Sequence, residues 1–420
     1  MNIAIIGSGP SAFYAAQSFS NDEKVNVDII EKFFAPYGLV RYGVAPDHQK
    51  TKNIIKLFNR VLERTNVNFF GNINVSNDIS LDFLSENYDA VLIATGASKD
   101  KFLNIEGELQ NGVLGSAEFV GWYNDNPEFT NLSPNLSSNN VVIIGNGNVA
   151  LDCARILSKT EEEFNGSDIS EKNLKLLANS NIKKIYVIGR RGPKEAKFTI
   201  SELREFKEIK EFSTSINFSR DSLKTFIDDQ TIDTRVKKNL EVFNDFYDME
   251  KKQKEIIFDF FKSPIEIYGN GKVEGIKLKD KNGDFFDIQS NLIIKAIGYR
   301  ATSIDNLKMD KSNNFLLNNN GHINKNIFTT GWASSPSVGV IGTNKGQALE
   351  TVKTILSQVT HTKKNSTQKL KEEIIKNKIN YITKNEWETI NQREEEQAMP
   401  NFVREKFNDI NIVLEILNKS

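Results

Sequence analysis

The sequence predicts an α/β protein made of two nested Rossmann-like domains, each suited to binding a dinucleotide. Two glycine fingerprints carry this prediction: Gly7-Ser8-Gly9-Pro10-Ser11-Ala12 and Gly145-Asn146-Gly147-Asn148-Val149-Ala150. Each follows an apolar strand pattern and opens a segment with the apolar periodicity of a helix. The length of 420 residues supports two domains, because one hydrophobic core seldom organises a chain of this size.

The first fingerprint joins a strand over 2–6 to a helix over 13–19. Gly7 permits a sharp turn, Gly9 lets backbone N–H groups approach a pyrophosphate, and Ala12 lets the helix lie close to the strand. The helix N-terminus then carries partial positive charge towards the phosphates. A second strand, Val25 to Ile30, ends at Glu31, about where an acid should bind a ribose hydroxyl.

The second fingerprint lies between a strand over 141–144 and a helix over 149–157, but no acid follows its next strand, 185–188. Arg190 and Arg191 stand there instead. Two guanidinium groups suit the 2′-phosphate of NADP better than a bare ribose diol. A solvated surface pair of arginines is the alternative interpretation.

The order of the segments indicates that one domain is inserted into the other. Asp89–Gly96 is a buried strand ending in a small-residue turn, and a related segment, Leu292–Tyr299, forms the second of a pair that flanks the insertion. A nested two-dinucleotide flavoprotein has this arrangement. We therefore expect a discontinuous first domain over 1–97 and 299–420, which the resemblance described below implies to be FAD-binding, and a second, NADP-binding domain over 98–298.

The last third of the chain returns to the first domain. The segment 326–332 is predicted to be a strand, and Gly339-Val340-Ile341 precedes a helix over 348–359 whose N-terminus points at the first cofactor. Residues 361–397 are charged and helix-prone. The run Glu394-Glu395-Glu396 is interpreted as a solvated helical face.

Composition excludes several classes of function. The formal net charge of −1 argues against nucleic-acid binding through global charge. The single cysteine, Cys153, excludes an intrachain disulfide, a CxxC pair and a cysteine-held iron–sulfur site, and no metal site is predicted. No apolar run approaches a membrane span, and a strand begins almost at once, so we expect a cytoplasmic protein, or one of an organelle matrix if the chain is a trimmed mature form.

Longer strings resemble one family. The run from Glu31 through Pro36 to His48, the second fingerprint continued to Asp152, and Arg190-Arg191-Gly192-Pro193 resemble adrenodoxin reductase and related bacterial ferredoxin-NADP reductases. The segments 198–205 and 260–264 resemble them as well, in the same order along the chain. The resemblance implies FAD in the first domain, NADPH in the second, hydride transfer to the flavin and single-electron transfer to a ferredoxin-type iron–sulfur protein.

The resemblance also implies site residues. FAD contacts are implied at Ser11, Glu31, Leu39, Val75, Trp332, Gly339, Val340 and Ile341, of which Leu39 and Val75 rest on the resemblance alone. NADP contacts are implied at Gly145, Asn146, Gly147, Asn148, Arg190, Arg191, Glu202 and Gly339. His48 and Glu205 match the catalytic histidine and its acidic partner, with a role in positioning and proton or charge balance around the flavin.

A docking surface and one departure from the family complete the prediction. Basic residues that could dock an acidic ferredoxin are Arg204, Lys207, Arg235, Lys237 and Lys238, of which only Arg204 matches a family position. Ser335-Pro336-Ser337 replaces the usual Arg-Gly-Pro, which removes a positive charge and a flexible glycine.

Two alternative functions stay open. One is an electron-entry protein like the small subunit of glutamate synthase, whose cysteine-rich segment is missing here. The other is a non-catalytic NADP sensor or scaffold that retains the fold, because a fold alone does not establish activity. The physiological acceptor, the oligomeric state and the net direction of electron flow have no signature in the sequence.

Overall fold

The computed structural model describes residues 1–419 except Asn306, Asn313, Val338 and Val340. The strands are β1 Asn2–Ile6, β2 Asn26–Ile30, β3 Val67–Phe70, β4 Ala90–Ile93, β5 Lys99–Asp100, β6 Val113–Gly115, β7 Asn140–Ile144, β8 Lys184–Gly189, β9 Phe212–Asn217, β10 Lys254–Phe260, β11 Lys262–Tyr268, β12 Gly275–Asp280, β13 Phe285–Gln289, β14 Leu292–Lys295, β15 Tyr299–Arg300, β16 His322–Asn324 and β17 Ile327–Thr329. The helices are α1 Pro10–Phe19, α2 Leu39–Tyr42, α3 Gln49–Lys52, α4 Ile55–Leu62, α5 Leu81–Asn87, α6 Ser116–Tyr123, α7 Asn148–Ser158, α8 Glu171–Ala178, α9 Ile200–Glu205, α10 Arg220–Asp228, α11 Thr234–Asp245, α12 Thr343–Gln358, α13 Ser366–Lys376, α14 Lys384–Glu396 and α15 Ile410–Ile416.

The chain divides into two compact units. The first unit comprises Met1–Lys99, Asn124–Pro127 and Tyr299–Ser420, and the second comprises Asp100–Tyr123 and Glu128–Gly298. The expected division, 1–97 with 299–420 and 98–298, assigned 124–127 to the other part. That segment belongs to the first unit, where Asn124 Oδ1 accepts a hydrogen bond from the buried Nζ of Lys52 at 3.3 Å.

A six-stranded sheet forms the centre of the first unit, in the order β16-β17-β4-β1-β2-β3. All neighbours are parallel except β16 and β17. Strands β1 and β4 are buried along their whole length, which is why all of their residues except Asn2 are apolar and show no alternation. The strand predicted over 326–332 is β17, which pairs with β4 and so returns the chain to this sheet.

Helices cover both faces of this sheet. Ile3 and Ile5 point to the face covered by α1 and α12, where Phe13 and Val352 join the same core. Ala4 and Ile6 point to the other face, which is covered by α5 and α13. The alternation of side chains along β1 therefore builds two hydrophobic layers from one strand.

The second unit contains a six-stranded parallel sheet in the order β6-β14-β7-β8-β10-β9. A three-stranded antiparallel sheet, β11-β12-β13, packs on one of its faces. The contact is apolar, since Val142 and Ile293 of the parallel sheet share a core with Ile276 and Leu278 of β12.

The two related segments lie in different sheets. Strand β4 flanks β1 in the first unit, and β14 flanks β7 in the second. Each is the neighbour of its own fingerprint strand, so the pattern that they share marks equivalent positions in two similar sheets.

In the described part of the chain, no helix combines the length and the apolar composition that a membrane crossing requires.

Candidate dinucleotide sites

The first fingerprint forms a tight turn that leads from β1 into α1. Gly7 has φ of +98°, and a Cβ built on it would lie 2.7 Å from the Ala94 carbonyl oxygen, so only glycine fits. A Cβ on Gly9 would meet nothing within 4 Å. The space in front of the α1 N-terminus is therefore open, and a pyrophosphate fits a cradle of this kind.

Glu31 follows β2 and lies against the fingerprint turn. Its Oε2 accepts hydrogen bonds from the backbone N–H and the hydroxyl of Ser8 at 2.9 and 2.6 Å, and Oε1 accepts from the Phe33 N–H at 3.1 Å. The side chain is buried. Ser8 thus fixes the carboxylate beside the cradle. The sequence prediction did not include Ser8, although its place between the two glycines was a signal for it.

The turn after β17 adds polar atoms to the same unit. Gly331 has φ of +67°, and a Cβ on it would lie 2.2 Å from the Ser11 hydroxyl oxygen. The Nε1 of Trp332 and the hydroxyl of Thr330 are buried without a hydrogen-bond partner among the described residues. Buried polar groups normally have a partner, so these orphaned atoms are suited to a polar bound group.

The segment before α12 is built on a second left-handed glycine. Gly339 has φ of +99°, and a Cβ on it would approach the Thr343 hydroxyl at 2.4 Å. Ile341 packs partly buried against the core of the first unit. Val340, the third residue predicted here, lies outside the described residues.

Hydroxyl groups occupy the place of the family's Arg-Gly-Pro. Ser335 Oγ donates to the Gly331 carbonyl at 3.3 Å and accepts from Gln347 Nε2 at 3.1 Å. Ser337 Oγ accepts from the Tyr299 N–H at 3.3 Å and donates to the Tyr299 carbonyl at 3.0 Å. Neutral hydrogen bonds therefore hold this segment.

Leu39 and Val75, which rested on the resemblance alone, have different surroundings. Leu39 begins α2 and is 37% exposed, which is unusual for a leucine in a mostly buried loop. Val75 is buried in the hydrophobic core with Ile73 and Ile79. Its side chain therefore has a packing role, and a contact with a cofactor would come from its backbone.

His48 lies at the start of α3, where its carbonyl accepts hydrogen bonds from the Thr51 and Lys52 N–H groups. Its own N–H donates to the Ala45 carbonyl at 3.0 Å. The side chain is half-buried. The backbone thus fixes the position of the residue in the loop that follows α2.

The second fingerprint repeats the geometry of the first. Gly145 has φ of +151°, and a Cβ on it would lie 2.2 Å from the Ala296 carbonyl oxygen, whereas a Cβ on Gly147 would meet nothing within 4 Å. Asn148 Oδ1 accepts from the Thr199 N–H at 2.9 Å, which ties the start of α7 to the start of α9. A second cradle is therefore open at the α7 N-terminus.

Arg190 and Arg191 follow β8, the strand next to β7. Both side chains are exposed, and neither forms a salt bridge within the described ranges. Asn146 lies beside the same strand end, since a Cβ on Gly189 would lie 2.0 Å from its Nδ2. The Oδ1 of Asn146 is buried without a partner among the residues that the structure describes. The two cations are therefore available to an anionic ligand, and Asn146 Oδ1 can accept a hydrogen bond from a hydroxyl group of that ligand.

Glu202 and Glu205 belong to α9, and both are half-buried. Glu205 Oε2 lies 3.0 Å from Nε of Arg155, a buried residue of α7 whose Nη2 also lies 2.5 Å from Asp152 Oδ1. Burial lowers the pKa of Arg155 to about 10, and the charge of Glu205 opposes that effect. The arginine stays charged at neutral pH and orients the Glu205 carboxylate.

The predicted docking residues lie on α9, just after it, and on α11. Arg204, Arg235 and Lys238 are exposed, whereas Lys207 and Lys237 are half-buried. Lys207 forms an ion pair with Asp245, which offsets its charge. The other four form no ion pair with any residue that the structure describes, so they supply the unpaired positive charge of this surface.

Comparison with known proteins finds relatives along nearly the whole chain. A family model described as pyridine nucleotide-disulphide oxidoreductase matches residues 1–191. The chain is 38% identical over 386 residues to NADPH-ferredoxin reductase FprA of Mycobacterium tuberculosis, covering 86% of this chain and 84% of that protein. It is 33% identical over 455 residues to a mitochondrial NADPH:adrenodoxin oxidoreductase of Arabidopsis thaliana, covering 97% and 93%.

Comparison with solved structures identifies the same family. The structure of Mycobacterium tuberculosis FprA in complex with NADPH matches with a TM-score of 0.91 and 34% identity, covering 99% of both chains. A thioredoxin reductase of T. acidophilum, at 16% identity and a TM-score of 0.51, is similar in fold alone. With relatives at this identity over most of both lengths, the chain belongs to the adrenodoxin reductase-type family of ferredoxin-NADP reductases.

Proposed function

We propose that this chain is an FAD-dependent NADPH:ferredoxin oxidoreductase. The observation that carries the proposal is the pair of equivalent cradles at Gly9 and Gly147, one followed by an acid and the other by two arginines. When bound, FAD supplies an acceptor for the hydride of NADPH and a donor of single electrons, chemistry that no side chain of this protein offers. The single cysteine, Cys153, is buried in α7, so a dithiol route is not available.

The first unit holds FAD in this proposal. Glu31, which Ser8 holds in place, accepts hydrogen bonds from the hydroxyl groups of the adenosine ribose. The α1 N-terminus and Ser11 bind the pyrophosphate. Trp332 and the segment 339–341 bind the flavin end, with the unpartnered Nε1 of Trp332 as a donor. Leu39 offers an exposed apolar surface. Val75 contributes through its backbone.

The second unit holds NADPH. The cradle from Gly145 to Asn148 receives the pyrophosphate, and Arg190 and Arg191 bind the 2′-phosphate. Neither guanidinium group has an acidic partner among the residues that the structure describes, so both are available to the ligand. Glu202 completes the set of proposed contacts in this unit.

His48 and Glu205 are the proposed catalytic residues. Hydride transfer needs no general base, so their part is to hold charge and protons in place around the reacting rings. Arg155 supports this part by orienting Glu205 through a 3.0 Å contact. Replacement of either residue should slow turnover rather than abolish it.

A ferredoxin-type iron–sulfur protein is the proposed acceptor, and it docks on Arg204, Lys207, Arg235, Lys237 and Lys238. Encounters between a basic surface and an acidic partner are steered by charge and weaken with salt. The relatives include bacterial proteins and proteins named mitochondrial, so the proposal includes a cytoplasmic or organelle-matrix location.

Steady-state reduction of a ferredoxin by NADPH tests the proposal. The purified protein should reduce ferredoxin with NADPH in preference to NADH, and the apparent KM for ferredoxin should rise with ionic strength. Replacing Arg204 with Ala should raise that KM without altering flavin content. A protein that binds NADPH and carries no flavin would instead be a sensor or scaffold.

A further inference from the structure

Phe261 has an unusual backbone conformation beside the arginine pair. It directly follows β10 and has φ of +57°, a left-handed value that an aromatic residue rarely adopts. Strand β10 neighbours β8 in the parallel sheet, so Phe261 and Arg190–Arg191 follow the carboxyl ends of adjacent strands. Strained backbone of this kind often occurs at ligand sites.

Direct contacts join Phe261 to the arginine turn. Its N–H donates a hydrogen bond to the Arg191 carbonyl at 3.3 Å. A Cβ on Gly192 would lie only 2.4 Å from Cζ of the Phe261 ring, so the ring packs directly on the glycine that follows the arginines. The left-handed backbone thus brings the ring to the place where the 2′-phosphate is proposed to bind.

Further rings and two lysines extend from Phe261. The ring of Phe218, which follows β9, is tilted by 34° against the Phe261 ring at a centroid distance of 6.0 Å, and the Phe226 ring lies 5.8 Å from that of Phe218. Lys281 Nζ lies 4.8 Å from the centre of the Phe261 ring, and Lys194 Nζ lies 4.3 Å from that of Phe226. We call these five residues the Phe261 cluster.

The exposure of the cluster suits it to binding a ligand. All three rings are half-buried, so each keeps accessible surface, and Lys281 is exposed without an ion pair in the described part of the chain. Aromatic faces stack on nucleobases, and cations next to them attract phosphate. The cluster is continuous with Arg191 through the Phe261 hydrogen bond.

We propose that the Phe261 cluster extends the arginine pair into a binding surface for the adenosine 2′-phosphate end of NADPH. Lys281 adds positive charge for the phosphate, and the Phe261 ring forms a wall for the adenine while its backbone positions Arg191. This inference rests on the proposed NADPH site of the second unit.

Calorimetric titration of the flavin-loaded protein with adenosine 2′,5′-bisphosphate and with 5′-AMP tests this proposal. Lys281→Ala should weaken the bisphosphate about two- to fivefold and leave 5′-AMP unchanged, because an exposed charge contributes modestly. Phe261→Ala should weaken both ligands about fivefold or more, since adenine loses its wall. Phe261→Leu, which keeps the apolar packing, should also weaken both and guards against misfolding of the alanine variant.

Two controls separate this inference from the proposal on which it rests. Lys279→Ala removes a lysine charge from β12, two residues before Lys281, where Nζ lies 5.5 Å from the centre of the Phe285 ring, and should leave both affinities unchanged. Arg190→Ala should weaken the bisphosphate strongly. If it does so while the Lys281 and Phe261 variants bind as the wild type does, the cluster lies outside the site. If Arg190→Ala has no effect either, the NADPH site itself is wrong and the inference fails with it.

Discussion

The carboxylate of Glu394 in α14 forms a buried, two-pronged ion pair with the guanidinium of Arg41 in α2. Nη1 and Nη2 of Arg41 lie 2.9 and 2.5 Å from Oε2 and Oε1. Glu394 is fully buried and also accepts hydrogen bonds from Arg404 and from the Phe407 N–H. Burial alone would lower the pKa of Arg41, but the charge of Glu394 raises it, so the arginine stays charged. This pair ties the loop that carries Leu39 and His48 to the C-terminal helices.

Replacing Glu394 with Gln should destabilise the first unit by about 3 kcal/mol, because it leaves a buried guanidinium without its counter-charge. Urea unfolding measures this loss, and flavin retention should fall with it. Glu396→Gln is the control, because the contacts of Glu396 with Arg393 and Gln392 are exposed and their loss should cost less than about 0.5 kcal/mol. Equal stability of the two variants would contradict the role given to the buried pair.

The sequence could not distinguish Glu394 from its neighbours. Three successive glutamates in a charged helix are typical of a solvated face, and that interpretation is wrong for Glu394. The charge that draws Glu394 inward belongs to Arg41, 353 positions earlier. The periodicity of a helix indicates which of its side chains share a face. It gives no information about a partner so distant in sequence.

The glycines of the two cradles should respond to alanine in opposite ways. Gly9→Ala and Gly147→Ala meet no protein atom within 4 Å, so the thermal midpoint should stay nearly unchanged while each variant loses affinity for its own dinucleotide. Gly145→Ala places a methyl group 2.2 Å from the Ala296 carbonyl at positive φ and should destabilise the second unit. FAD content, NADPH affinity and thermal unfolding separate these effects. Retained FAD in Gly9→Ala would refute the first cradle.

The arginine pair should select NADPH over NADH. Replacing Arg190 and Arg191 with Ala should raise the Kd of NADPH at least about tenfold, since charge-assisted bonds to the phosphate are lost, and should leave NADH nearly unchanged. Stopped-flow flavin reduction with each nucleotide measures the two effects. Equal losses for both nucleotides would mean that the arginines do not bind the 2′-phosphate.

Asp100 should make stability depend on pH. Burial raises the pKa of its carboxyl group to about 6, an effect that the Ala117 N–H opposes and the charge of Glu118 increases. The folded chain binds this proton more tightly than the unfolded chain does, so the free energy of unfolding falls as pH rises from about 4 to about 6.

The variant Asp100→Asn should remove this loss of about 2 kcal/mol. The difference in unfolding free energy between variant and wild type, measured by urea titration at pH 4.5 and pH 7.5, should therefore favour the variant more at the higher pH. A pH-independent difference would contradict the raised pKa.

The sequence predicted the fold class and the two fingerprints because their signals are local. A strand, a glycine turn and a helix are contiguous, and the structure has them at Gly7–Gly9 and Gly145–Gly147 with the expected backbone. The sequence pattern could not show that β4 and β14 belong to separate sheets, because their similar sequences reflect similar positions in two sheets. The hydrogen bonds from Ser8 to Glu31 depend on tertiary contacts, and so does the left-handed backbone of Phe261. A local sequence pattern does not contain these contacts.

The visible spectrum during anaerobic addition of NADPH tests the central claim most directly. The purified protein should show a flavin band that NADPH bleaches and that returns when oxidised ferredoxin is added and becomes reduced. A colourless protein that takes up no FAD, or a flavin that NADPH leaves oxidised, would contradict the claim that this chain joins two dinucleotides in one electron-transfer reaction.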